Sequence, residues 1–136
     1  MFTNLFAASV SRRRFWTPLL GAAFVTARTT ALPKPRRKIE LLQTYVAGTA
    51  YYDAERAHTG LQVGDRLILR RQAENKYDTK AIEVFTASGL KLGYVPRLDN
   101  SVLTALMDDA RELVAHVTAV RPEHYRDIGI AVALVE

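Results

Sequence analysis

Ala81-Ile82-Glu83-Val84-Phe85-Thr86-Ala87-Ser88-Gly89-Leu90-Lys91-Leu92-Gly93-Tyr94-Val95-Pro96 reads as a β-hairpin. Residues 81–86 are largely β-branched and aromatic, and Ala87-Ser88-Gly89 carries the turn. Lys91 to Val95 returns until Pro96, which has no amide hydrogen to continue a ladder. Working outward, Gln72 to Lys80 is a polar loop, and Arg66-Leu67-Ile68-Leu69-Arg70-Arg71 is a strand with charged ends. Val63-Gly64-Asp65 is a turn, and Ala54–Gly60 is a loop or a single helical turn. Leu41 to Ala47 is a further strand, and Gly48 marks a bulge or a close backbone approach.

Downstream of the hairpin the period changes. Asp99 or Asn100 can cap a helix, on which Val102, Leu103, Leu106, Met107 and Ala110 share one face. Leu113–Val120 and Ile128–Leu134 are two closing strands. Five or six short strands with one helix inserted before the last pair predict a mainly β fold, a small barrel rather than a βαβ sheet. No internal repeat is present.

The net charge of +5 is unevenly distributed. Eight Lys and Arg side chains and no Asp or Glu fall in residues 1–39; the other 97 residues hold 11 basic and 14 acidic side chains, a net of −3. The high basicity, a usual pointer to nucleic acid, therefore belongs to the leader.

Residues 1–31 read as an export or targeting segment, residues 32–40 as a basic, Pro-containing linker, and residues 41–136 as the folded domain. Ser11-Arg12-Arg13-Arg14-Phe15-Trp16 precedes a mildly apolar run of 11 residues, Thr17 to Ala27. A bilayer-spanning helix needs about 20 apolar residues, so the run fits the core of an export signal better than an anchor. Ser-Arg-Arg-x-Phe resembles a bacterial twin-arginine signal, with Trp16 where that pattern often has Leu. The resemblance implies contact with the export machinery and a periplasmic location. An acid-free, Arg/Ser/Thr-rich start also suits a mitochondrial presequence or a basic tail, with the domain then mitochondrial or cytoplasmic.

The chain has no cysteine, which excludes disulfides, thiolate metal sites and cysteine nucleophiles. The seven glycines are scattered and build no phosphate loop. His58, His116 and His124 lack ligand-pair spacing, and no nucleophile elbow occurs. Asp108-Asp109 reads as the solvated end of the helix. These absences predict no catalytic residues, no metal and no cofactor.

Three segments stand out: Gly48-Thr49-Ala50-Tyr51-Tyr52, Glu74-Asn75-Lys76-Tyr77-Asp78-Thr79-Lys80-Ala81-Ile82-Glu83-Val84, and Lys91-Leu92-Gly93-Tyr94-Val95-Pro96-Arg97. In this order and spacing they resemble the HIRAN domain, a small OB-like β-barrel found in replication-fork-remodelling translocases and as a stand-alone bacterial protein. The resemblance runs from about Gln43 to Val120. It implies a module that captures single-stranded DNA at a free 3′-hydroxyl end and has no catalysis of its own. The translocase and zinc-finger modules that flank HIRAN in large members are not present in this sequence. Residue by residue, it implies that Tyr51 and Tyr52 form a stacking platform and that Asn75, Tyr77 and Asp78 line the pocket. Asp78 would accept a hydrogen bond from the terminal hydroxyl, and Tyr94 and Arg97 would lie along the strand's path, Arg97 near a phosphate. Arg66, Arg70, Arg71, Lys76, Lys80 and Arg97 would add a local basic groove. Ala50 stands where DNA-binding members can carry Arg.

The residues alone leave other roles open. Tyr77 can be a core ring, and Asp78 can fold the turn through neighbouring backbone amides. Tyr51 and Tyr52, if in a strand, point to opposite faces, so one can pack inside. An exported domain that uses the same pocket for a ligand other than DNA is the alternative function.

Overall fold

The computed structural model describes residues 31–136; residues 1–30, and with them the targeting segment, lie outside the described residues. Six strands form one antiparallel sheet: β1 (Lys38–Tyr45), β2 (Arg66–Arg71), β3 (Ile82–Thr86), β4 (Lys91–Tyr94), β5 (Leu113–Val120) and β6 (Ile128–Val135). Their order is β1-β6-β5-β2-β3-β4. A short helix α1 (Ala54–His58) precedes β2, and helix α2 (Asn100–Asp108) is inserted between β4 and β5. This is the expected mainly β architecture.

The two ends of the strand order meet. Beyond Tyr45 the chain continues in extended form. The Val46 amide donates to the Ile128 carbonyl at 2.9 Å, and Ala47 forms an antiparallel bridge with Tyr94. The Ala47 amide donates to the Tyr94 carbonyl at 2.7 Å, and the Tyr94 amide donates to the Ala47 carbonyl at 2.9 Å. One residue pair thus joins the two ends of the sheet and closes it into a barrel, pairing the Ala47 and Tyr94 backbone groups at the seam.

The core follows from the strand pattern. Leu67, Ile82, Val84, Leu92, Val117, Ile128, Ile130 and Val132 are all essentially sealed from solvent. β3 and β6 are buried along nearly their whole length, whereas β2 alternates.

Three features differ from the sequence reading. β1 begins at Lys38, inside the stretch read as linker, because Lys38 and Ile39 pair with Val135 and Leu134. Gly48 adopts a left-handed φ of 76° and opens a 3-10 turn, Thr49–Tyr51, so Tyr51 and Tyr52 lie in a turn and not in a strand. The buried stripe of α2 is Asn100, Leu103, Thr104 and partly Met107, while Val102 is exposed. Two polar residues hold core positions because they reach back to the Asp78–Lys80 loop: Asn100 Nδ2 donates to Asp78 Oδ2 at 2.7 Å and Thr104 Oγ1 to the Lys80 carbonyl at 2.8 Å. Asp99 occupies the N-cap position, but its carboxylate accepts the Thr44 hydroxyl at 2.6 Å instead of a helix amide. Asp108 pairs with Arg71 at 3.0 Å.

Candidate functional site

The loop between β2 and β3 is folded by its own side chains. Asn75 Oδ1 accepts the amides of Tyr77 and Asp78 at 2.9 and 3.1 Å. Asp78 Oδ1 accepts the Lys80 amide at 2.9 Å. These are Asx turns, in which a short polar side chain takes the place of a backbone acceptor. Asp78 therefore shapes the turn, and its carboxylate also lines a cavity of about 350 Å³.

That cavity brings together six of the seven candidate residues: Tyr52, Asn75, Tyr77, Asp78, Tyr94 and Arg97. Ala47, Ala81 and Val95 supply apolar lining. The site sits at the barrel's closing seam, because Ala47 and Tyr94 are the bridge pair. Tyr77 is 87% exposed, which excludes a core role; its ring stands on the rim and its carbonyl accepts Arg97 Nη2 at 2.5 Å. Tyr52 and Tyr94 meet edge to face, with centroids 5.7 Å apart and planes at 65°. Tyr51 is not in this cavity. It lies in a neighbouring cleft of about 620 Å³ with Tyr125, His58 and Asp127, and Ala47 borders both spaces.

A charged network backs the aromatic wall. Glu83, 2% exposed, accepts Arg70 Nε at 2.7 Å and Lys91 Nζ at 2.8 Å. Lys91 Nζ lies 4.4 Å from the Tyr52 ring centroid and 4.3 Å from that of Tyr94, a double cation–π contact, and donates to Tyr94 Oη at 2.9 Å. Burial alone would raise the Glu83 carboxyl, but hydrogen bonds from Arg70 and Lys91, and their charges, outweigh it and hold the group below the usual carboxylate range. Burial likewise works against the Lys91 ammonium, and the bonds to Glu83 and Tyr94 override it and raise its pKa. Burial raises the Tyr52 phenol. For Asp78, bonds from the Lys80 amide and Asn100, with the Arg97 charge, outweigh desolvation and keep the carboxylate ionised.

The expected basic groove divides. Lys76, Lys80 and Arg97 line a polar recess of about 410 Å³ that adjoins the cavity through Tyr77 and Asp78. Arg70 and Arg71 are held by Glu83 and Asp108, and Arg66 lines separate clefts.

Sequence reasoning missed Gln72, Glu83, Lys91 and Asn100. A signal for Glu83 was present: a carboxylate flanked by Ile82 and Val84 in an apolar strand demands partners, and the register sets Arg70 directly across from it. It also missed Asp127, 6% exposed, which accepts Thr49 Oγ1 at 2.9 Å and pairs with His58 Nε2 at 2.9 Å. This trio ties the Gly48–Tyr52 turn and α1 to the start of β6. Among the described residues, no group of three or more His, Cys, Asp or Glu stands close enough to hold a metal ion.

The HIRAN domain family pattern matches residues 39–135. A crystal structure of a protein from Lactobacillus plantarum is similar at 30% identity and a TM-score of 0.68, covering 74% of this chain and 98% of that one. The crystal structure of the HIRAN domain of human HLTF is similar in fold, at 20% identity and a TM-score of 0.56 over 72% of this chain and 78% of that one. Among curated proteins, the Fanconi-associated nuclease 1 homolog of Arabidopsis thaliana is 31% identical over 70 residues, which are 52% of this chain. The chain spans only 7% of that relative's length.

Proposed function

Because the chain belongs to the HIRAN domain family, we propose that it is a nucleic-acid-binding module that captures single-stranded DNA by a free 3′-hydroxyl end, without catalysis of its own. The observation that carries this reading is the single cavity lined by Tyr52, Asn75, Tyr77, Asp78, Tyr94 and Arg97. Tyrosine faces accept any base by stacking, which contributes about 1–3 kcal/mol per base without reading sequence. An ionised aspartate only accepts hydrogen bonds. Asp78 thus favours a chain end that carries a hydroxyl donor and repels one that carries a phosphate. Arg97, Lys76 and Lys80 beside it supply positive charge for the backbone. The nuclease name of the Arabidopsis relative belongs to a far longer protein, and that activity is not transferred to this chain.

Fluorescence anisotropy with a 3′-hydroxyl oligonucleotide and its 3′-phosphate twin tests the reading. The hydroxyl form is expected to bind about tenfold tighter or more, since a hydrogen bond to a charged group contributes about 1.5–3 kcal/mol. Asp78→Ala should abolish the preference, and Tyr52→Ala should weaken both ligands by about tenfold. Equal or absent binding of the two oligonucleotides by the unsubstituted chain would overturn it.

The twin-arginine-like segment supports a second reading, an exported domain that takes a different ligand in the same pocket. Replacing Arg12→Lys and Arg13→Lys is then expected to retain in the cytoplasm a protein otherwise recovered in the periplasm. Cytoplasmic recovery of both forms would defeat this second reading.

A further inference from the structure

Tyr94 Oη accepts a hydrogen bond from Lys91 Nζ at 2.9 Å and lies 2.7 Å from Gln72 Oε1. An ammonium only donates, and a phenol has one proton, so the Tyr94 proton is committed to Gln72. From the other side, Asn75 Oδ1 accepts two backbone amides, which turns its amino end toward Gln72 Oε1 at 2.9 Å. Two donors therefore converge on one amide oxygen. Gln72 cannot flip without presenting its own amino group to both. The direction of the Tyr94 hydrogen bond follows from one partly buried cation, Lys91, itself anchored by Glu83, and the orientation of Asn75 follows from the two loop amides; Gln72 is fixed by both.

We propose that Gln72 is a positioning residue for the pocket: its amide oxygen clamps the aromatic wall to the Asn75–Asp78 loop and sets the gap between them. Gln72 is not among the residues lining the cavity, so it acts through Tyr94 and Asn75. The wall and the loop come from different elements. Tyr94 ends β4, whereas Asn75 and Asp78 lie in the β2–β3 loop. Gln72 Oε1 bridges the two with side-chain hydrogen bonds to both. Loss of the clamp lets the loop move relative to the wall, and ligand affinity falls because a preorganised gap must then be re-formed on binding.

The clamp is testable without ligand. Gln72→Met keeps the length and removes the acceptor; Gln72→Glu keeps an acceptor for both donors. In the full chain, amide hydrogen exchange at Tyr77 and Asp78 is expected to quicken about tenfold in Gln72→Met, with the Val84 and Ile130 amides unchanged, and to stay near the original rate in Gln72→Glu. In the anisotropy assay, which rests on the DNA-end reading, Gln72→Met should bind the 3′-hydroxyl oligonucleotide about tenfold more weakly and Gln72→Glu within about threefold of the unsubstituted chain. Exchange at Tyr77 and Asp78 unaltered by Gln72→Met would overturn the clamp, and so would loosening of the core amides to the same extent. If the unsubstituted chain binds no oligonucleotide, the DNA reading fails, and the exchange measurement alone decides the clamp.

Discussion

Glu83→Ala is expected to lower the unfolding free energy by about 3 kcal/mol, because removing one member of a buried ion pair leaves its partner charged and unpaired. Lys91 is that partner, with its ammonium enclosed between the Tyr52 and Tyr94 rings. Thermal or urea unfolding measures the loss. The double substitution Glu83→Leu/Lys91→Met is expected to recover most of it, since apolar replacement of a whole buried pair is often near neutral. The same group predicts an acid limb. The folded-state pKa of Glu83 is depressed, so its contribution is complete above the ordinary value of 4.5 and is lost as the pH falls below that through the folded value. Lys91 is shifted the opposite way, so its contribution is complete below 10.5 and is lost as the pH rises through its folded value. The contribution of this pair should therefore be flat between those limits and decline on both sides. In Glu83→Ala the acid decline should become shallower. An unchanged melting temperature in Glu83→Ala would show that the network does not hold the wall.

Gly93→Ala is expected to cost about 3 kcal/mol or more, from backbone strain together with steric overlap. Gly93 has φ of 153°, a conformation that L side chains rarely adopt. A Cβ there would collide with the Ala47 carbonyl oxygen and stand 2.9 Å from Val46 Cγ1. That carbonyl is the acceptor for the Tyr94 amide in the closing bridge, so the substitution attacks the one pair that joins β1 to β4. For a domain of this size the melting temperature should fall on the order of 15 °C. Gly64→Ala is the control: its φ is also left-handed, at 94°, but a Cβ there meets nothing within 4 Å. It should cost only about 1 kcal/mol, from conformational preference alone. Similar losses at the two glycines would mean that the seam tolerates a wider approach than its geometry suggests.

Most of the strands were legible because each carries its own local signal. The β3–β4 hairpin follows from two β-branched and aromatic runs around Ala87-Ser88-Gly89, and its turn forms where expected, with the Gly89 amide donating to the Thr86 carbonyl at 3.0 Å. The place of α2 was legible from its apolar spacing, but not its buried face. Asn100 and Thr104 face inward because the Asp78–Lys80 loop needs donors from that direction, a need set by packing and invisible to helical periodicity. The start of β1 was read too late because Lys38 and Glu40 are charged; pairing with β6 holds them in the sheet whatever their polarity.

The candidate site was legible as a set of residues and only partly as a place. Short-range turn chemistry marks Asn75 and Asp78, since an Asx turn spans a few residues and needs no partner from elsewhere. The separation of Tyr51 from Tyr52 was not legible: both belong to one dipeptide, and the left-handed Gly48 turns one into each of two adjoining spaces. Nor was the division of the basic residues. Arginines that look free in a linear reading are engaged by Glu83 and Asp108, which arrive from distant positions.

The linear order of apolar, turn-forming and charged residues was enough for the family, the strands and the loop that bears Asn75 and Asp78, because these depend on contacts between near neighbours. The closure of the barrel by Ala47 and Tyr94, the Glu83–Lys91 network behind the tyrosine wall and the clamp through Gln72 arise from tertiary contacts. The Ala47–Tyr94 bridge and the Gln72–Tyr94 bond join groups far apart in the chain, and the Glu83 network joins Arg70 of β2 to Lys91 of β4, so these geometries exist once the sheet has brought the strands together.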